Sequence, residues 1–417
     1  RIAQKRKEIK TSRIHMSHPR EEGDSSASPP PDTASPTEDE NLLPEVLFRL
    51  PARPSSLTRA SLVCKRWRNL VADPQFLHRF CAHHREAPII GVFLDFYRRG
   101  LSFSSVLDPP DQIPSQRFSL PLDVVEGGGI WTFRGSRHGR VVLTSGDHLG
   151  RGCRQILVWD PVTGERRSIS GPPPQLDHDW GKSHVQADVI CVAGDEGHVH
   201  GACHSSPFKV ALVCAEKRVA RSCVYSSETD SWGDTIATEV QYNTMSCLGS
   251  RSILVGNSLY WFIFGRETGI LELDLDTQIP AVVQVPEDAH RGHRGLYLST
   301  LGGGLGFIAM SDNYVAQLWL RTTDFDGADG WMPGHAIELG KFLPLRSGEW
   351  TNLQTIMGFA GDDNVIFVST NRGVFMVYLE TMQFKKIFER NPFADCTTST
   401  IHPFISVCAA GNSTPQH

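Results

Sequence analysis

The densest set of groups able to hold a metal or move a proton is the run His198-Val199-His200-Gly201-Ala202-Cys203-His204, with Asp195 and Glu196 just before it and His178 and His184 upstream. Side chains two apart on a strand point to one side, so His198 and His200 could converge on a cation, with Cys203 adding a thiolate suited to zinc or copper. The run matches no standard zinc spacing, and nothing around it supplies the outer partners that orient ligating rings. It therefore reads as a strand and turn with ordinary histidines, and no metal or cofactor is expected. Asp177-His178-Asp179 reads as a solvated loop.

Other chemistries have no signature. The chain has no Gly-x-Ser-x-Gly elbow, no Gly-x-x-x-x-Gly-Lys-Ser/Thr phosphate cradle and no His-Glu-x-x-His, so no catalytic residue is expected. Gly127-Gly128-Gly129 and Gly302-Gly303-Gly304 read as loops between strands. Lys65, Arg66 and Arg68 form the outward face of an amphipathic helix without interleaved aromatic platforms, which argues against nucleic acid. A net charge of −5 over 417 residues gives no global attraction for nucleic acid or anionic membrane, and no apolar run is long enough for a span. Ten cysteines without Cys-x-x-Cys spacing suit a reducing compartment, cytosol or nucleus.

The elements that carry these groups fall into two kinds. Residues 1–40 read as a disordered leader: Ser17 to Glu40 is rich in Ser, Pro, Asp and Glu, Lys5-Arg6-Lys7 and Lys10 read as a solvated tail, and Met16 could be a start. Residues 41–81 then carry helical patterning. Leu42, Leu43, Val46, Leu47 and Leu50 form a stripe that Pro51 ends. Leu57, Ala60, Val63, Cys64, Trp67, Leu70 and Val71 share one face of a second helix, with Ser55 and Ser56 as cap candidates. Asp73-Pro74 opens a third, whose Phe76, Leu77 and Phe80 share a side. Three short helices bury too little to stand alone, so an apolar face needs a partner.

LLPEVLFRLP followed by SSLTRASLVCKRWRNLVADPQF resembles an F-box, the helical module that docks substrate receptors on the Skp adaptor of Skp-cullin-F-box ubiquitin ligases. The resemblance implies adaptor contacts from Leu42, Leu43, Val46, Leu47, Leu50, Pro51, Leu57, Ala60, Val63, Cys64, Trp67 and Leu70. One departure stands out: Glu38-Asp39 occupies the place of the family's opening Leu-Pro, and Leu43-Pro44 lies a turn later. A proline deep in a helix costs about 3 kcal/mol, so the first helix is expected to begin near Asn41 or Pro44 and to be short.

Residues 82–88 read as a linker, 89–410 as β-structure and 411–417 as a disordered tail. Short apolar runs bounded by Gly, Asp, Asn and Pro predict strands, among them Ile89 to Phe96, Gln155 to Trp159, Val189 to Val192, Lys209 to Val213, Leu259 to Phe264, Val365 to Ser369 and Val374 to Leu379. WDPVTGERRSI, YSSETDSWGDT, LDLDTQIPAVV and YLETMQFKKIF form a weak repeat of strand, turn with Thr163, Thr229, Thr277 or Thr381, and return strand, with a further copy near FDGADGW and Trp331. The recurrence predicts a β-propeller of six to eight blades, closed by C-terminal strands from Val365 to Leu379, with Ile405 to Cys408 as a further candidate, packed beside Ile89 to Phe96 or Val141 to Leu143; a β-sandwich or two small barrels is the alternative. LVWDPVTG, CHSSPFKVALV, VYSSETDSWGD, LVGNSLYW and NVIFVSTNRGVFMVYLETMQFKK resemble the associated domain of a large plant F-box family abundant in grasses, kelch-like but without the kelch Gly-Gly pair.

The expected molecule is an α+β multidomain chain, a small three-helix F-box followed by a mainly-β, kelch-like propeller. Its implied function is that of the substrate-recognition subunit of a Skp-cullin-F-box ubiquitin ligase. Its partners would be a Skp-type adaptor, a cullin-RING ligase and a protein substrate. A metal-dependent propeller enzyme, or an F-box scaffold that acts without ubiquitination, are the competing classes.

Overall fold

The computed structural model of the chain describes residues 42–84, 87–96, 100–120, 130–146, 152–172, 185–193, 200, 203, 206–246, 251–265, 268–290, 293–300, 303–311, 315–323, 329–343, 356–360, 364–370, 372–389 and 399–406. The expected leader and tail, His198, His204 and the 177–179 loop lie outside the described residues.

Four helices, not three, open the described chain: α1 (Leu42–Phe48), α2 (Pro54–Ser61), α3 (Lys65–Ala72) and α4 (Pro74–His83). α1 is short as expected, with Pro44 tolerated in its first turn. The helix expected through Leu57 to Val71 breaks at Leu62-Val63-Cys64: the Leu62 and Val63 N–H groups bond back to Arg59 and Ala60 carbonyls, and Cys64 is extended (φ −160°, ψ 172°). Ser55 and Ser56 do not cap α2; Arg53 stands at that position without a side-chain bond, and Pro54 occupies the first turn. Asp73 does cap α4, its carboxylate accepting the Gln75 N–H at 3.1 Å. Leu43, Leu47, Phe48, Leu57, Ala60, Val71, Phe76 and Phe80 form the core of this module, with Phe48 and Phe76 stacked at 4.9 Å.

The strands that follow, among the described residues, make six antiparallel blades. The second is β3 (Ile130–Arg137), β4 (Arg140–Gly146), β5 (Gln155–Trp159) and β6 (Arg166–Ser170). The third runs from β7 (Val185–Cys191) through β8 (Phe208–Ser226) and β9 (Ser231–Trp232) into β10 (Ile236–Ser246). β8 turns back on itself, since Phe208 and Ser227 exchange bonds. The end of β10 pairs with the fourth blade, β11 (Ile253–Val255), β12 (Ser258–Gly265), β13 (Gly269–Asp274) and β14 (Pro280–Gln284). The fifth is β15 (His293–Ser299), β16 (Gly306–Ser311), β17 (Val315–Thr323) and β18 (Asp329–Glu338); the sixth is β19 (Ile356–Ala360), β20 (Val365–Thr370), β21 (Gly373–Tyr378) and β22 (Phe384–Phe388). Two single turns, α5 (Glu287–His290) and α6 (Leu339–Phe342), flank the fifth.

The first blade joins both ends of the chain, as closure requires, but through a strand that begins at Ser399 and ends at Ile405 rather than one that starts there. β23 (Ser399–Ile405) is its innermost strand and pairs antiparallel with β1 (Ile89–Phe96), which pairs with β2 (Gly100–Ser105). Six apolar seams complete the ring, one between each pair of neighbouring blades. Each blade feeds two seams because side chains alternate along a strand. In β8, Val210, Leu212 and Cys214 face the second blade while Ala211, Val213 and Ala215 face the fourth. In β20, Ile366 and Val368 face the fifth blade while Val365 and Phe367 face the first. Burial on both faces is why these strands read as unbroken apolar runs rather than alternating ones.

The threonine repeat marks the outer hairpins of four blades. In each, the residue after the threonine takes a left-handed conformation: Gly164 (φ 79°), Asp230 (52°), Gln278 (58°) and Met382 (54°). The Thr163, Thr277 and Thr381 hydroxyls accept an N–H two residues on, at 3.2 to 3.4 Å, and so bridge that turn. The copy expected near Trp331 falls on the β17–β18 hairpin, whose residues 324–328 lie outside the described chain.

Candidate functional site

Of the twelve positions named on the helical module, the structure turns some inward and some outward. Leu43, Leu47, Leu57 and Ala60 are buried in the module's own core, so they hold its shape and offer little area for the adaptor contacts that the resemblance implies for them. Leu50, Trp67 and Leu70 are half-buried against that core. Leu42, Val46, Pro51, Val63 and Cys64 are exposed. Leu62, which the helical spacing had put off the apolar face, is the most exposed large apolar side chain described, at 72%, with Val63 at 62%.

The break between α2 and α3 is what brings these two out. A continuous helix would have carried Val63 to the same side as Ala60 and Trp67; the turn at Leu62-Val63 and the extended Cys64 push both side chains off the end of α2 into solvent. Arg59, Lys65, Arg66 and Arg68 surround the elbow in sequence, and the Arg68 guanidinium steadies it by donating to the Ser61 carbonyl at 3.4 Å. On α1, Leu42 and Val46 lie one turn apart and are 46% and 39% exposed. Four of the eight exposed large apolar residues described are therefore on this small module.

The module is fixed to the ring. The Ser55 N–H donates to Asp111 Oδ1 at 3.0 Å and Arg53 lies 3.6 Å from Asp111 Oδ2. Burial works against the Asp111 carboxylate, but the Ser55 bonds and the Arg53 charge outweigh it and hold the group below the usual carboxylate range. Cys81 of α4 and Ala87 pack together with Ile405 of β23 beneath them. The module therefore sits on the face reached by the ends of the innermost strands. That leaves the opposite face to the β4–β5, β12–β13, β16–β17 and β20–β21 connections.

At the axis, charged groups pair rather than gape. Arg137 on β3 donates to Asp188 on β7 at 2.8 Å and to Ser252, and Ser252 Oγ donates to Asp188. Arg251 donates to the carbonyls of Phe359 and Ser136, and Ser136 Oγ to the Pro403 carbonyl at 2.9 Å. Innermost strands of the second, third, fourth, sixth and first blades are laced together by these bonds.

Of the histidine-cysteine run, His200 and Cys203 are described. Cys203 is wholly buried, His200 is exposed, and its Nδ1 lies 3.6 Å from Cys203 Sγ. The structure adds a residue from inside the strand expected over Val189 to Val192: Cys191, at the end of β7, whose sulfur lies with the other two ligand atoms inside a 4.8 Å span. His138, in the β3–β4 turn, stacks on the His200 ring at 3.7 Å and accepts the Cys191 N–H at 3.1 Å.

Comparison with known proteins accounts for both parts of the architecture. Residues 40–83 match the F-box-like family, and residues 132–409, more than half of the chain, match the family described as F-box protein AT5G49610-like, beta-propeller. Relatives in Arabidopsis thaliana include F-box protein At5g03970, 21% identical over 81% of this chain and 79% of that protein. F-box/kelch-repeat protein At3g17530 is 23% identical over 66% of this chain and 69% of its own length. F-box/kelch-repeat protein At3g61590 is 26% identical over 54% of this chain, which spans about half (51%) of that relative. With an F-box-like helical module fixed to a six-bladed ring, the chain belongs to the plant F-box proteins of the AT5G49610-like β-propeller family.

Proposed function

We propose that the chain is the substrate-recognition subunit of a Skp-cullin-F-box ubiquitin ligase, docking a Skp-type adaptor through its helical module and holding a protein substrate on its propeller. The observation that carries this reading is the exposed apolar elbow, Leu62 and Val63, on a module pinned to the ring through Asp111. An apolar surface of this kind gains from burial in a partner's groove, at roughly 25 cal/mol per Å² removed from water. The pinning matters as much: a substrate held at fixed distance and angle from a charged conjugating enzyme presents its lysines at high effective concentration, and no chemistry of its own is then required of the receptor. The face opposite the module is the natural substrate face, because adaptor and cullin crowd the other side. This work belongs to the cytosol or nucleus.

Reconstitution tests it. The full chain, co-expressed with a Skp-type adaptor, should co-purify with it as a stoichiometric pair and support ubiquitin transfer to a captured substrate when cullin, RING protein and conjugating enzyme are added. A folded chain that leaves the adaptor in the flow-through would end the proposal.

A further inference from the structure

We propose that Cys191, Cys203 and His200 form a binding site for a thiophilic d10 cation, Zn2+ or Cu+, on the face of the ring from which the helical module leaves. Two thiols and an imidazole converge from separate stretches of chain, the end of β7 and the segment that leads back to β8, and all three ligand atoms fall within 4.8 Å of one another. In a tetrahedral zinc site with Zn–S about 2.3 Å and Zn–N about 2.05 Å, the sulfur-to-nitrogen edge is about 3.6 Å and the sulfur-to-sulfur edge about 3.8 Å. The Cys203 Sγ to His200 Nδ1 separation is 3.6 Å.

The surroundings suit such a cation. Two thiolates neutralise Zn2+, so a zinc-occupied site carries no net charge into the buried positions of Cys191 and Cys203, whereas Cu+ would leave one negative charge there. The Arg140 guanidinium donates to the Cys203 carbonyl at 2.5 Å and the Ser206 carbonyl at 2.6 Å, which fixes the backbone beside Cys203. His138 orients the other two ligands, stacking on the His200 ring and holding the Cys191 backbone by its N–H. His200, being exposed, gives the cation a way in and leaves a fourth position for water. On binding, two S–metal bonds and one N–metal bond form and two thiol protons leave to solvent; no electron is transferred. The effect is to clasp His200 and Cys203 to β7 and to the β3–β4 turn.

The test uses the full chain purified with its thiols reduced. Elemental analysis should find about one zinc or copper per chain and identify which, and replacement by Co2+ should give a thiolate-to-cobalt charge-transfer band with the intense visible bands of a tetrahedral ion. Cys191→Ser, Cys203→Ser and His200→Gln should each weaken affinity at least about tenfold, whereas Cys153→Ser, a thiol elsewhere in the ring, should not. Because a cysteine variant could misfold, the unaltered chain supplies a second readout: the metal should protect two thiols from a thiol reagent and a chelator should release them. Metal-free folded protein after incubation with Zn2+ or Cu+, an octahedral cobalt spectrum, full occupancy in Cys191→Ser, or a Cys191–Cys203 disulfide in place of metal would each overturn the proposal.

Discussion

Truncating Phe404 to alanine should loosen the whole ring, because this residue sits where the last strand meets both the first and the second blade. Its ring is fully buried, 5.3 Å from Phe93 of β1 and 5.7 Å from Phe118, in the same seam as Phe133 and Trp159. A buried phenylalanine reduced to alanine loses about 3–5 kcal/mol, the transfer energy of the ring plus the cavity left behind. At about 2.1 cal/mol/K per residue, a β-domain of roughly 320 residues has an unfolding entropy near 0.7 kcal/mol/K, so the midpoint should fall by about 5–8 °C. Thermal melts followed by near-ultraviolet circular dichroism should show one cooperative transition for both proteins, moved down in Phe404→Ala. Deleting residues from 399 onward should remove that transition and the solubility of the β-domain together. A ring that did not depend on closure would give a midpoint unchanged within 1 °C and a soluble, cooperatively folding fragment ending before Val365.

Three further outcomes follow from neighbouring groups. Gly358→Ala should destabilise by about 1–3 kcal/mol in denaturant titration, since a Cβ there would lie 2.2 Å from the Ile401 carbonyl oxygen on the closing strand. Burial, aided by the Arg251 charge, keeps His402 neutral well below 6.5, so the folded state refuses a proton that the unfolded chain takes, and stability falls by about 1.4 kcal/mol per unit as pH drops below 6.5. Burial pushes Asp95 up to about 6, so from there down to its unfolded value of 3.8 the folded state gains a proton first and offsets that loss. His402→Phe should therefore remove the loss between pH 6.5 and 6, and Asp95→Asn should steepen it below 6; parallel pH profiles for all three proteins would refute the assignment. Asp111→Ala should leave adaptor affinity intact while lowering substrate ubiquitination severalfold, because it frees the module from the ring; equal ubiquitination would mean that the orientation is held elsewhere.

What could be read in advance divides along physical lines. The core strands of the ring announce themselves because each is buried on both faces, so Leu259 to Phe264 and Val365 to Val368 are apolar throughout and cannot be mistaken for solvated edges. The turn threonines were visible because one left-handed residue recurs after a threonine in four hairpins, three of them bridged by the threonine hydroxyl, a local requirement of the turn. The elbow was not visible. Apolar spacing runs on through Val63 and Cys64 as if the helix continued, and only the backbone shows the turn that exposes Leu62 and Val63 instead. Cys191 was hidden for a related reason: inside the strand run Val189 to Val192 it looks like core, and its proximity to Cys203 is a tertiary contact that spacing along the chain does not announce.

Docking through the elbow is open to one direct binding measurement. Titration of a purified Skp-type adaptor into the full chain should give saturable, one-to-one binding, and Leu62→Asp with Val63→Asp should weaken it at least about thirtyfold, the equivalent of about 2 kcal/mol for an apolar anchor made charged. Both side chains already face solvent, so the helical signal and the melting midpoint of the double variant should match the parent. Unchanged affinity in a folded double variant would contradict docking through the elbow.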